Sequence, residues 1–276
     1  MRVRFSANIS LLFAELPLLE RPAAAAAAGF DAIEAWWPFG AVAVPATADV
    51  DAFISAVGDA GVHLAALNLY AGDMPAGERG LVSLPDRRQQ FADSLDVLVG
   101  IATQTGTKHF NALYGVRQRD VSAQEQDDVG CENLTAAAKA LGALDGTVLV
   151  EPLARGENGA YPLTSPDDVL AVVGRVPAAN VAMLADFYHL TQNGHAWKNV
   201  IDAHANRIGH VQIADAPGRH QPGTGSIEFP ALFAHLAQSG YNGYIGLEYR
   251  PEGSTVDSLA WLPTEARSAG LEVAAR

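Results

Sequence analysis

The chain has 276 residues, close to the about 250 of one eight-fold α/β barrel, so a single large core spanning 1–276 needs no second domain. Its formal net charge of -13, from 18 basic and 31 acidic residues, argues against a broad phosphate-binding surface, and nucleic acid is not an expected partner. An apolar share of 49% with 18% charged residues is that of a folded soluble protein rather than a disordered one.

From the N-terminus, Arg2 and Arg4 precede apolar residues in the manner of a secretory leader. Glu15, Glu20 and Arg21 break that run, and no uncharged apolar stretch reaches the about 18 residues of a membrane span. The reading is a cytoplasmic protein without membrane contact. Strand-like runs follow at Val3–Asn8, Asp31–Trp36, Val62–Tyr70, Lys108–Leu113, Thr147–Pro152, Val181–Phe187, Ile208–Asp215 and Tyr244–Tyr249. Between them lie segments of helical length at Leu16–Ala28, Val50–Ala60, Arg87–Gln104, Ala123–Leu144, Ser165–Arg175, Val200–Asn206 and Pro230–Gln238.

This alternation predicts a parallel sheet, and eight units in one chain of this length favour closure into a (β/α)8 TIM barrel, an α/β fold. Glycine follows several predicted helices, as at Gly61 and Gly106, where a left-handed cap needs no β-carbon. Ser165 before Pro166 is a helix N-cap followed by proline at the first helical position. A glycine-rich dinucleotide fingerprint is missing after the first strand, which removes the main support for an NAD-binding fold. The lone Cys131 has no disulfide partner and falls in a predicted helix, away from any evident histidine base.

Active sites of such barrels sit at the C-terminal ends of the strands. Four consecutive predicted strands end on oxygen-bearing side chains: Val148–Val150 runs into Glu151, Met183–Ala185 into Asp186, His210–Val211 into Gln212, and Ile245–Leu247 into Glu248. Three carboxylates buried together repel one another and lose hydration, a conflict that a bound cation resolves. An all-oxygen donor set suits Mg2+ or Mn2+ in octahedral geometry, whereas structural zinc would favour Cys and His.

Val150–Leu153, Ala185–His189, His210–Ala214 and Gly246–Tyr249 stand in the order and spacing of the hydroxypyruvate isomerase family of xylose-isomerase-like barrels, which the chain resembles over nearly its whole length. Pro217–Pro222, Gly225–Ile227 and Tyr241–Tyr244 extend the resemblance. Carried over by motif, the family's metal ligands fall on Glu151, Asp186, Gln212 and Glu248, and its proton-transfer residues on Glu151 and Glu248. Gln212 is informative, because related ketose 3-epimerases and inosose dehydratases generally place histidine there. Ala154–Tyr161 and the N-terminal half match only loosely.

The resemblance implies isomerisation of a small hydroxy-carbonyl acid through an enediolate, with the two glutamates moving the proton between adjacent carbons. Arg219 is the favoured partner of the substrate carboxylate and Arg155 the second candidate. His189 is read as a donor to a substrate oxygen or as support for a ligand. Glu157 and Asn158 precede Gly159 in a loop able to close over the site, Trp36 and Trp37 are candidate walls, and Asn111, His109 and Asn68 face the cavity if the strand register allows. A 2-oxotetronate isomerase, a sugar 3-epimerase or dehydratase, and a non-catalytic sugar-binding barrel are the alternatives, and a homo-oligomer is left open.

Overall fold

Eight apolar runs become parallel strands, each followed by helical chain, in a computed structural model that describes residues 1–273. In order they are β1 (Arg2–Asn8), α1 (Arg21–Ala27), β2 (Ala32–Ala35), α2 (Thr47–Ala60), β3 (His63–Asn68), α3 (Arg88–Thr105), β4 (His109–Asn111), α4 (Ala123–Gly142), β5 (Thr147–Val150) and α5 (Pro166–Arg175). The second half runs β6 (Val181–Asp186), α6 (Phe187–Gln192), α7 (Trp197–His204), β7 (Ile208–Ile213), α8 (Phe229–Gln238), β8 (Tyr244–Leu247), α9 (Thr255–Ser258), α10 (Thr264–Ala269) and β9 (Leu271–Glu272). Each of β1 to β7 pairs in parallel with the next strand, and β8 pairs with β1, so the expected barrel closes. The short β9 adds an antiparallel pairing to the start of β1 that the sequence did not announce.

Local chemistry sets the helix ends. Gly61 and Gly106 adopt left-handed conformations as C-caps of α2 and α3. Ser165 and Asp168 form a reciprocal capping box at the start of α5, with Pro166 inside the first turn. The helix expected from Leu16 begins only at Arg21, after a short turn at Leu18–Glu20 that follows Pro17, which cannot donate a helical hydrogen bond. Among the described residues, no helix is long and apolar enough to cross a membrane.

Alternation along the strands divides the barrel wall. Phe5, Ala7, Ile33 and Val211 are fully buried apolar residues, and the larger side chains of Phe5, Ile33 and Val211 each contribute about 1.5–3 kcal/mol by leaving water. Their neighbours Ser6, Asn8, Glu34, His210 and Gln212 are just as buried but polar, and they hydrogen-bond to one another inside the barrel. A polar plug inside an apolar shell is thus built into the strands that lead to the mouth.

Candidate active site

Glu151, Asp186, Gln212 and Glu248 emerge at the C-terminal ends of β5, β6, β7 and β8, and all four are at most 4% exposed. Register places Asp186 opposite Gln212, and Gln212 opposite Gly246, while the Glu248 amide continues the ladder by donating to Ile213 O at 3.0 Å. Neighbours hold one face of each side chain. Asp186 Oδ1 caps α6 by accepting from the Tyr188 amide at 2.8 Å, and Glu151 Oε2 accepts from Asn111 Nδ2 at 2.7 Å. Gln212 Nε2 donates to Glu34 Oε1 at 2.7 Å. The opposite atoms, Glu151 Oε1, Asp186 Oδ2 and Gln212 Oε1, are buried without any hydrogen-bond partner. Buried oxygens left in this state are costly, and three of them at adjacent strand ends form a donor set for a hard cation.

Glu248 differs. Its Oε2 accepts from Asn8 Nδ2 at 2.9 Å, and its Oε1 pairs with Arg219, whose Nη2 also stands 3.7 Å from Asp186 Oδ2. That guanidinium is the positive charge the carboxylates have. It does not hold them at ordinary acidity: burial, then Glu248 and Asp186, push Glu151 well above the usual carboxylate range, and burial also raises Asp186. Glu248 is pushed up to about 8, burial outweighing the opposing pull of Arg219. Carboxyls with raised proton affinity at a cavity are suited to accept and return a proton near neutral pH.

His189 Nε2 lies 3.6 Å from Asp186 Oδ2 and 3.9 Å from Glu151 Oε1, and the three ligand atoms of this trio fall within 4.8 Å of one another. Such a trio has the spacing to hold a metal ion. The ring's other nitrogen decides its part: Nδ1 accepts from the Ala154 amide at 3.1 Å, so the proton of the neutral imidazole sits on Nε2 and faces the carboxylates. Burial first, and then Arg219, lower the His189 pKa well below its usual value, which keeps the ring neutral. Nε2 is therefore a donor toward the site and not a lone pair for a cation.

Arg219 reaches the mouth from the segment after β7. Its backbone is left-handed, at φ 61, a conformation that costs a non-glycine residue on the order of 1–3 kcal/mol. The surrounding chain enforces it: the Arg219 amide donates to Asp215 O at 3.0 Å and its carbonyl accepts from Arg250 N at 2.7 Å. Buried Asp215 also gathers the amides of Ala216, Gly223 and Ile227 on its carboxylate, which organises the whole segment.

The cavity above these residues measures about 260 Å³, just under the roughly 300–1,000 Å³ of pockets for drug-sized ligands. Trp36, Asn68, Leu113 and Leu153 form walls, and Arg79, Glu157, Asn158 and Arg250 complete the rim. Glu157 Oε1 accepts from Tyr188 Oη at 2.9 Å and Gln192 Nε2 at 3.3 Å, tying the loop after β5 to α6. Three expectations need correction. Arg155 is exposed and turned away, its Nε donating to Thr164 Oγ1 at 3.0 Å beside the start of α5. Trp37 packs edge-on against Phe39 and Tyr70 beneath the rim, with its indole N–H bound to Val42 O. His109 opens β4 at the opposite end of the barrel, where it stacks on His210.

Sequence reasoning passed over Glu34, Asn8 and Arg79 as site residues. Glu34 is 1% exposed and accepts from Ser6, Asn8, His210 and Gln212 at 2.7–3.2 Å. Burial alone would raise its pKa, but His210, Gln212 and Ser6 together hold it below the ordinary value. Gly246 is needed beside it, since a β-carbon there would stand 2.3 Å from Glu34 Oε2. A glutamate inside an apolar strand between Ile33 and Ala35 was a usable sequence signal; Arg79, in a loop, offered none.

The molecule is thus a closed α/β barrel whose strand ends converge on buried carboxylates around a small cavity. The chain belongs to the xylose isomerase-like TIM-barrel family, whose profile matches residues 22–265. It is 47% identical over 272 residues to a Streptomyces coelicolor protein provisionally named a hydroxypyruvate isomerase, covering 96% of this chain and 98% of that one. An Escherichia coli hydroxypyruvate isomerase is 33% identical across 94% of this chain and 98% of its own. A 2-oxo-tetronate isomerase of Cupriavidus necator is 36% identical across 94% and 97%. With relatives of this kind along almost its full length, the chain is an isomerase.

Proposed function

We propose that this protein is a cytoplasmic, divalent-metal-dependent isomerase that interconverts hydroxypyruvate and tartronate semialdehyde. The observation that carries the reading is the set of three partnerless oxygens, on Glu151, Asp186 and Gln212, beside Glu248 in a cavity sized for a few-carbon acid. Glu151, Asp186, Gln212 and Glu248 would hold the ion, and Mg2+ or Mn2+ matches their oxygen chemistry. When bound, such an ion supplies positive charge that offsets the negative charge developing on the substrate oxygens.

The chain's own residues do the rest. Glu151 and Glu248, on strands from different parts of the barrel wall, take the proton from one carbon and deliver it to its neighbour. His189 donates Nε2–H toward the reacting oxygens, and Asn111 fixes the Glu151 carboxylate by binding Oε2. Arg219 contributes fixed positive charge against Glu248 and Asp186, and Trp36, Leu113 and Leu153 keep water from the enediolate. A four-carbon 2-oxotetronate is the second reading, favoured by the Cupriavidus relative.

Incubation of Mg2+- or Mn2+-loaded protein with hydroxypyruvate tests the reading, with tartronate semialdehyde formation and exchange of the substrate C–H into deuterated water as readouts. Exhaustive chelation is expected to abolish both, and either metal to restore them. Full activity after chelation sinks the metal assignment, and turnover of 2-oxotetronate alone moves the substrate to four carbons.

A further inference from the structure

Two arginines with opposite electrostatic situations line the substrate cavity. Arg219 is balanced by Glu248 and Asp186. Arg79, half-buried on the loop between β3 and α3, is held by neutral acceptors alone: its Nε donates to Asn158 Oδ1 at 2.9 Å, and its Nη1 to Met74 O at 2.9 Å and Glu78 O at 2.7 Å. Among the described residues no carboxylate forms an ion pair with it, and the adjacent Glu78 carboxylate is taken by Arg87. Burial, followed by repulsion from Arg219, lowers its pKa, so the charge that acts on it most is another cation.

The position of this guanidinium is prepared by the backbone. The Arg79 carbonyl accepts from the Gly115 amide at 2.9 Å, and the Gly80 amide donates to Ala71 O at 2.8 Å. Gly80 has φ 97 and presses so closely on the loop after β4 that a β-carbon would lie 1.7 Å from Leu113 O. Between the backbone anchors and the three side-chain bonds, Nη2 is the edge left uncommitted to the protein. A partly desolvated guanidinium without a counter-ion is unfavourable until an anion meets it. Arg250 also lines the cavity, but it is exposed and its side chain has no comparable anchor.

We propose that Arg79 is the specificity-determining residue that receives the substrate carboxylate through Nη2, with the hydroxy-carbonyl end of the molecule facing Glu151 and Glu248. The inference rests on the hydroxy-carbonyl acid reading above and favours small acids over neutral sugars, because a neutral ketose leaves the charge of Arg79 unbalanced. It also moves the carboxylate contact from Arg219 to a residue on the loop between β3 and α3.

The test combines steady-state kinetics with equilibrium binding on Mn2+-loaded protein. For hydroxypyruvate, Arg79→Met is expected to raise KM about 10- to 100-fold with kcat within about three-fold, the signature of lost uniform binding through a charge-assisted hydrogen bond. Arg79→Lys recovers part of the loss, since the charge returns without the planar fork. By calorimetry, wild type binds glycerate more tightly than neutral dihydroxyacetone, and Arg79→Met erases that preference while leaving Mn2+ affinity unchanged. If Arg79→Met does not fold, Arg79→Lys and Asn158→Ala carry the test, each weakening glycerate several-fold. Unchanged KM and glycerate affinity in the Arg79 variants, or a loss that appears in Arg250→Gln instead, overturns the proposal. Wild type that binds glycerate through Arg79 but does not isomerise hydroxypyruvate keeps the carboxylate site and removes the reaction. Turnover indifferent to Arg79 keeps the reaction and removes the site.

Discussion

The N-terminal end of the barrel holds a larger polar cavity than the mouth, about 800 Å³ against 260 Å³. Its lining includes Arg4, His109, Asp202, Tyr241 and Asn242, a set as rich in polar groups as the lining of the mouth. Arg4, Asp202 and Tyr241 there have their partners. Arg4 donates to Asn242 O at 2.7 Å and lies over the Tyr244 ring, Asp202 pairs with Lys198 and His235, and Tyr241 Oη donates to Tyr244 O at 2.6 Å. At the mouth three buried oxygens have no partner and the glutamates have raised proton affinities. Cavity size therefore does not locate the chemistry here; unpaired polar atoms that the fold maintains at a cost do.

The sharpest way to break this contrast is Glu248→Gln, which keeps shape and removes the proton acceptor. Turnover is expected to fall about 10³-fold, and exchange of substrate C–H with deuterated solvent should vanish with it. A variant that retained exchange would assign removal of the proton to Glu151 alone.

Glu34→Gln comes next, because Glu34 is the acceptor that turns the Gln212 amide so that Oε1 faces the site, and it also holds Asn8 against Glu248. Mn2+ affinity measured by calorimetry should drop about 10- to 100-fold, the usual cost of losing a group that orients a ligand. Unchanged affinity would mean that the Gln212 amide keeps its orientation unaided.

pH separates the two ends by sign. Glu248 titrates at about 8 in the folded chain against 4.5 as an isolated group, so between these values the folded, cation-free protein binds the extra proton. The contribution of Glu248 to stability must then fall as pH rises from about 4.5 toward 8, and added Mn2+ should raise Tm more at pH 8 than at pH 5.5. At the other end, burial first and His210 next push His109 down to about 4, so between pH 6.5 and 4 the unfolded chain holds the extra proton. The His109 contribution to stability is lost there as pH falls, by up to about 3 kcal/mol, and His109→Gln should flatten that acid limb in denaturant titrations. An equal Mn2+ effect at both pH values would break the account of the mouth.

The smallest effect is expected from Asp202→Asn. That pairing lies on the surface of the larger cavity, where exposed ion pairs contribute little, and Mn2+ affinity should stay at the wild-type value. A change in that affinity would show that the two ends are coupled.

Much of this was legible beforehand, for physical reasons that differ by residue. A strand of a closed barrel is buried on both faces, so apolar runs ending on Glu151, Asp186, Gln212 and Glu248 announce both the strand and the polar atom at its tip. Glu34 and Asn8 carry the same kind of signal, a polar residue within an apolar strand, but only the closed barrel brings them beside Gln212 and Glu248. Arg219 and Arg155 were the first and second carboxylate candidates in sequence, each a few residues past a strand. The left-handed backbone at Arg219, enforced by Asp215 and Arg250, turns the first inward, while a hydrogen bond to Thr164 turns the second out.

Hydrophobic period and helix capping are local properties carried by neighbouring residues, so the eight-fold alternation, the closure into a barrel and the four side chains at its strand ends could be read from the chain unaided. Which oxygens are left without partners, which nitrogen of His189 carries its proton, and that Arg79 faces the cavity without an acid emerge only once the barrel has closed. Those are statements about distance and charge balance between segments far apart in the chain, and no local pattern encodes them.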